Sequence, residues 1–279
     1  MAMTHTARPA RTATGVRAPL ALIGTGALAM VAVEMLNPEY DLVSETLSRY
    51  VHGTAGPLLP AALLTVGAAS AVLAARLGPG TGRAGRAGRA GRASRAGRAA
   101  LVVWTLGILV AGLFPADPPG HWHRPSPSEL VHGNAAFLAF AALPTAAVLL
   151  RRRMPTAHSL GLRTALSALT WASITTTTAL AVFLIDVMDG GPSLGLGSAP
   201  TLVGLAERLV IAADLAWLAL ALVAVGGVHR VSTAGTAGTA GTASAAGTAD
   251  MAGTAGAVGP SDAVNHPAAR AESGQDRHA

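Results

Sequence analysis

The sequence predicts an all-α polytopic membrane protein: a six-transmembrane-helix bundle followed by a disordered C-terminal tail. Three observations predict it. Hydrophobic residues make up 51 % of the 279 and charged residues only 12 %, where a soluble domain carries about 25 % charge. Apolar stretches recur six times, and a helix of about 20 such residues crosses a hydrocarbon core of about 30 Å. Arginine is concentrated in alternate connections, as the positive-inside bias produces in a chain with an even number of spans.

The N-terminal tail, 1–17, carries Arg8, Arg11 and Arg17 and is expected on the cytoplasmic side. The first span covers 18–36. It exits through Val33-Glu34-Met35-Leu36-Asn37-Pro38 without a small-residue cleavage pattern, and its apolar run is long for a signal peptide, so it reads as a retained helix. The second span, 55–75, leads into an Arg-Ala-Gly repeat over 78–98 with Arg83, Arg86, Arg89, Arg92, Arg95 and Arg98. Glycine at every third position opposes a helix, so a flexible cytoplasmic loop is expected there. The third span is 99–115 and the fourth 130–150, the latter containing Pro144 and followed by Arg151, Arg152 and Arg153. The fifth is 162–188 and the sixth 201–228. The intervening connections carry Arg49, Arg124 and no arginine, respectively. Both termini are therefore expected to be cytoplasmic. From 229 to 279 the chain is Thr-Ala-Gly repeats and a mixed polar tail without an aromatic residue, which predicts disorder.

Composition excludes several chemistries. With no cysteine there is no disulfide, thiolate metal site or cysteine nucleophile, and with no lysine there is no Schiff base or lysine-bearing phosphate loop. The excess of Ala, Gly and Arg without Lys resembles a high-GC bacterial genome, so the expected address is a bacterial cell membrane. The isoelectric point near 11.3 follows from arginines that set topology. No nucleic-acid partner is expected; membrane lipid is, with an amphiphilic small molecule as the candidate ligand. Small residues favour close helix packing within or between chains, so oligomeric state stays open.

Polar residues gather at the non-cytoplasmic ends of the spans. In the first outer connection Asp41, Glu45, Ser48 and His52 share one face of an amphipathic helix begun by Asp41 or Ser44 and ended by Gly53, with Glu45 and Arg49 an i,i+4 pair. That helix suits either an interfacial position or the wall of a site. The third connection holds Asp117, His121, His123 and five prolines; Ser128 is a candidate N-cap, and His132 and Asn134 open the next helix. Asp186 ends the fifth span. Glu207 and Arg208 lie in the first turns of the sixth, and Asp214 follows one heptad on, near mid-bilayer. Intramembrane charges should face the bundle interior, where Glu207 and Arg208 either pair with other spans or serve function. Glu34, His52, Asp117, His132, Asp186 and Glu207 fall at similar depth, which permits a polar pocket opening to the outer leaflet.

The chain resembles the DUF998 family of bacterial six-helix membrane proteins. The resemblance rests on Leu47-Ser48, Tyr50 and His52-Gly53; on Gly112-Leu113-Phe114-Pro115-Ala116-Asp117; on His132-Gly133; and on Gly204-Leu205-Ala206-Glu207-Arg208 with Trp217. It spans about 20–228 and implies fold and topology, but no catalytic residue and no cofactor. Three functions stay open. One is a non-enzymatic membrane protein with a lipid or ligand pocket. Another is a hydrolase of a lipid-like substrate using a metal held by His52, Asp117, His123 and His132. The third is a proton-coupled transporter using Asp186, Glu207 and Asp214.

Overall fold

The computed structural model describes residues 15–77, 89–119, 124–151, 154, 159–189 and 194–242. Six long helices follow one another: α1 (Arg17–Leu36), α2 (Leu58–Arg76), α3 (Arg89–Leu113), α4 (Pro127–Leu150), α5 (Leu160–Met188) and α6 (Val203–Thr242), with a short 3₁₀ helix η1 (Leu47–His52) before α2. All six long helices are apolar enough over 18 residues to cross a membrane. Among the described residues there is no strand beyond an isolated bridge between Leu196 and Ala199. The chain divides into a unit of Met1–Ala234, which holds the candidate site, and a second of Gly235–Ala279.

Neighbouring helices pack in sequence, α1 on α2, α2 on α3, α3 on α4 and α4 on α5. Small residues make this possible. A Cβ on Gly107 of α3 would sit 2.6 Å from the Ala135 carbonyl oxygen of α4, so only glycine admits so close an approach. The main core joins Val66 and Leu73 of α2, Leu101 and Trp104 of α3, Leu143 and Leu150 of α4, and Trp217, Leu218 and Leu222 of α6. In the apolar window of α6, 56 % of residues are buried, against 17 % for α5. The sixth helix is thus the most enclosed and the fifth the most peripheral. Leu28, Met35, Leu106, Leu138, Trp171, Ile185 and Leu209 are exposed, an apolar exterior that water does not tolerate and lipid does.

Polar seams tie the helices where burial would leave a donor unpaired. Trp104 Nε1 donates to Ser70 Oγ at 3.0 Å between α3 and α2. Trp217 Nε1 donates to Thr170 Oγ1 at 3.2 Å, and Ser173 Oγ to Asp214 Oδ1 at 2.6 Å, both between α5 and α6.

Four local expectations are corrected. The Arg-Ala-Gly repeat is helical from Arg89 onward, while 78–88 lie outside the described residues. Alanine and arginine are strong helix formers that offset the glycines, and Arg98 Nε reaches the Ala74 carbonyl at 3.1 Å. The amphipathic helix expected after Asp41 is instead a turn followed by η1. The cap of α4 is Ser126 rather than Ser128: its side chain accepts from Glu129 N, and Pro127 takes the first helical position, where its missing N–H costs nothing. The backbone of α6 is helical to Thr242, past the boundary expected at 228; 243–279 lie outside the described residues.

Candidate functional site

The first connection does not close into one helix because its carbonyls are used elsewhere. Asp41 starts a turn, its Oδ1 accepting from Val43 N at 3.1 Å and its carbonyl from Glu45 N at 2.8 Å. Hydrogen bonds from Ser44 and then from Val43 N hold the Asp41 carboxyl below its ordinary pKa. Residues 43–47 then run as a strap along the first turns of α6. Leu205 N donates to the Val43 carbonyl at 3.0 Å. Arg208 Nη1 donates to the Glu45 carbonyl at 2.9 Å. Leu47 N donates to Glu207 Oε2 at 2.5 Å, so Glu207 caps η1 from another helix. Ser44 Oγ donates to the Thr201 carbonyl at 3.0 Å. A Cβ on Gly204 would overlap the Glu45 carbonyl oxygen, which explains the glycine. The Gly204–Arg208 motif is thus a docking rail for residues 43–47.

Arg208 fastens the same region to α1. Its Nε donates to Glu34 Oε1 at 2.5 Å, its Nη2 to the Tyr50 hydroxyl at 3.1 Å, and its guanidinium lies 5.4 Å from the Tyr50 ring centre. Burial raises the Tyr50 phenol above its ordinary pKa. The expected Glu45–Arg49 pair forms loosely at 3.8 Å. Burial raises Glu45 and lowers Arg49, and each charge partly opposes the other's shift.

The third connection is clamped through its carbonyls. His52 Nε2 bonds to the Ala116 carbonyl at 2.6 Å and Arg49 Nη1 to that of Pro118 at 2.7 Å. Asp117 Oδ2 accepts from Ser126 N, and Glu129 Oε2 from Asp117 N, each at 2.7 Å. His132 Nδ1 lies 3.0 Å from the Ala111 carbonyl and 2.9 Å from that of Phe114. Two acceptors place the proton on Nδ1, leaving Nε2 as an acceptor.

One cleft of about 320 Å³ opens between α4 and α5. Ala136, Phe137, Phe140, Leu180, Ala181 and Leu184 form its apolar wall, and Thr46, Ser48, Glu129, His132 and Glu207 its polar end. Ser48, His132 and Glu207 also line a smaller chamber of about 30 Å³ behind it, the size of one water. Glu207 and His132 are 8 % and 7 % exposed, so both are buried groups at a cavity wall. Such a concave apolar site with few polar groups is the usual form of a small-molecule pocket.

The predicted polar cluster is therefore distributed. His132 and Glu207 meet at the cleft. Asp41, Glu45, His52, Asp117 and Arg208 hold loops and lie behind or beside it. Asn134 bonds within its own helix, to the Leu130 carbonyl at 2.6 Å, and lines a different depression on the α3–α4 face. Asp186 accepts from Leu194 N at 3.0 Å, securing the segment beyond α5. Asp214 is fully buried with Ser173, and its Oδ2 has no partner among the described residues. For the metal reading, no group of three His, Cys, Asp or Glu side chains converges among the described residues; His121 and His123 lie outside them.

Sequence reasoning missed Glu129 as a cleft residue, and Asn37; Ser48 lay on the face expected to wall a site. Asn37 is fully buried and donates to the Val33 and Thr54 carbonyls at 2.6 and 2.9 Å while accepting from Thr54 N at 2.5 Å. A Cβ on Gly53 would overlap the Asn37 side chain, so Asn37 and Gly53 form one lock. An asparagine beside a proline at a helix end signals a cap, and nothing local reveals a partner 17 residues away.

Residues 18–225 match the family described as "Protein of unknown function (DUF998)". No curated protein and no solved structure matches the chain. The matched segment takes in α2 to α5 whole, parts of α1 and α6, and every cleft residue.

Proposed function

The chain belongs to the DUF998 family, and from that premise we propose that this integral membrane protein binds a single amphiphile in the α4–α5 cleft. The apolar chain would lie against Phe137, Phe140 and Leu184 and the headgroup at Ser48, His132 and Glu207. The observation that carries the reading is the cleft's polarity gradient: an apolar wall built by two helices, closed at one end by two buried polar groups. A cleft between transmembrane helices opens sideways to lipid, so its occupant can enter without crossing water.

Gly133 supplies the test. It lines the cleft, and a Cβ there would meet nothing within 4 Å. Gly133→Leu should fill the cleft while favouring the helix by about 1 kcal/mol. Saturable binding of dodecanol, a neutral probe, is expected in wild type and lost in the variant, with thermal stability retained. Equal binding by both proteins would remove the cleft as the site.

The orientation proposed is multi-pass, with both termini cytoplasmic and the cleft's polar end at the opposite surface, as the arginine distribution supports. Because the chain lacks cysteine, single cysteines at Glu39 and Arg83 can be labelled in intact cells. Labelling at 39 but not at 83 is expected; the reverse would invert the orientation.

A second reading, proton-coupled transport, rests on Asp214 and its unpartnered Oδ2 inside the bundle. Its discriminating test is the pair of Asp214 variants described below.

A further inference from the structure

Building on the cleft-binding reading, we infer that the headgroup accepted at the polar end is a hydrogen-bond-donating cation, a primary ammonium on a long alkyl chain, rather than a phosphate or carboxylate. The inference follows from counting what the polar end offers.

It offers acceptors. Glu207 spends Oε2 on Leu47 N and has Oε1 left. His132 spends its proton on two carbonyls and has the Nε2 lone pair left. Glu129 spends Oε2 on Asp117 N and has Oε1 left. Three hydroxyl protons of the lining are committed as well: Ser48 Oγ donates to Thr46 Oγ1 at 3.1 Å, Thr177 to the Phe140 carbonyl at 3.4 Å and Thr178 to the Ile174 carbonyl at 2.8 Å.

It offers few donors and no cation. No arginine is among the cleft's lining residues. The two nearest in the fold are turned to other work. Arg208 engages Glu34, Tyr50 and the carbonyls of Glu45 and Gly204. Arg49 engages Glu45 and the Pro118 carbonyl. An anionic headgroup would meet acceptors rather than donors at this end, with no guanidinium in the lining to receive it. An ammonium has three donors and no acceptor, which suits a lining richer in unspent acceptors than in donors. Glu207 and His132 are each more than nine-tenths buried at the cavity wall.

The test uses the full-length protein in phosphatidylcholine nanodiscs. Saturation binding of radiolabelled dodecylamine, dodecanol and laurate is measured, with empty discs subtracted for partitioning. Dodecylamine is expected to bind at least about tenfold more tightly than laurate, the scale of losing one buried charge-assisted contact. Glu207→Gln keeps an acceptor for Leu47 N and removes the charge. It should cost dodecylamine about tenfold and leave dodecanol within about twofold. If that variant does not fold, Glu129→Gln, at a half-buried position off the η1 cap, makes the same comparison. Laurate binding as tightly as dodecylamine, or an amine preference unmoved by the folded glutamine variant, overturns the headgroup inference while leaving the cleft reading standing. Absence of saturable binding for all three probes overturns the cleft reading itself.

Discussion

Gly204→Ala tests whether the rail on α6 holds the strap at 43–47. The alanine Cβ would overlap the Glu45 carbonyl oxygen and lie 2.9 Å from that of Val43. Both obstacles are backbone, so a side-chain rotation cannot relieve them. The strap must retreat by about 1 Å, which stretches N–H···O contacts that start near 2.9 Å beyond useful range. Three bonds are at stake: Leu205 N to Val43 at 3.0 Å, Arg208 to Glu45 at 2.9 Å and Leu47 N to Glu207 at 2.5 Å. A neutral bond contributes about 1 kcal/mol net and one to a charged group about 1.5–3. Losing one of each gives a destabilisation of about 2.5–4 kcal/mol. The assay is equilibrium unfolding of the purified protein in mixed micelles, with Gly24→Ala as the control. A Cβ on Gly24, inside α1, would meet nothing within 4 Å. The control should be neutral or more stable by up to about 1 kcal/mol. A Gly204→Ala protein as stable as the control would refute the rail and the account of why 41–53 is not one helix.

Two further outcomes are expected. Asp214→Asn preserves an acceptor for Ser173 and should change stability by less than about 1 kcal/mol, whereas Asp214→Ala leaves a void and loses the bond, costing about 2 kcal/mol. An asparagine variant that folds normally but loses a proton-coupled flux would establish the transport reading, and one that fails to fold would make Asp214 purely structural. The second outcome concerns pH. Glu45 is held above its ordinary pKa by burial, against the pull of Arg49 and with a push from Asp41. The native state therefore keeps a proton that the unfolded state releases, so Glu45 costs stability as pH rises from its ordinary value, near about 4, through the raised one. Glu45→Gln should become more stable relative to wild type as pH climbs from about 4 to 7, and a difference that is flat or falls over that range would contradict the burial assignment.

How far the sequence carries the argument depends on whether a property is local. Hydropathy and length are local, so the sequence predicts six long apolar helices and the fold contains six. The Gly204–Arg208 motif and His132-Gly133 were legible as special for the same reason: charge or glycine inside an apolar run needs a cause. Where the sequence failed, a distant partner intervened. Residues 41–53 have a good helical pattern, yet the carbonyls of Val43 and Glu45 are taken by α6. The repeat at 89–98 looks unstructured until Arg98 meets the end of α2.

The same division separates the address from the site. Lipid exposure follows from side-chain chemistry summed over about 20 residues, so membrane residence could be read from the chain alone. The direction in which a carboxylate points cannot be read that way. Glu207 and Arg208 are adjacent in sequence and equally charged in magnitude, yet one lines the cleft and the other is spent on α1 and η1. Successive helix residues are rotated by about 100°, and what each meets is set by chain lying up to 174 residues away. Only the packed bundle could separate a binding residue from its structural neighbour.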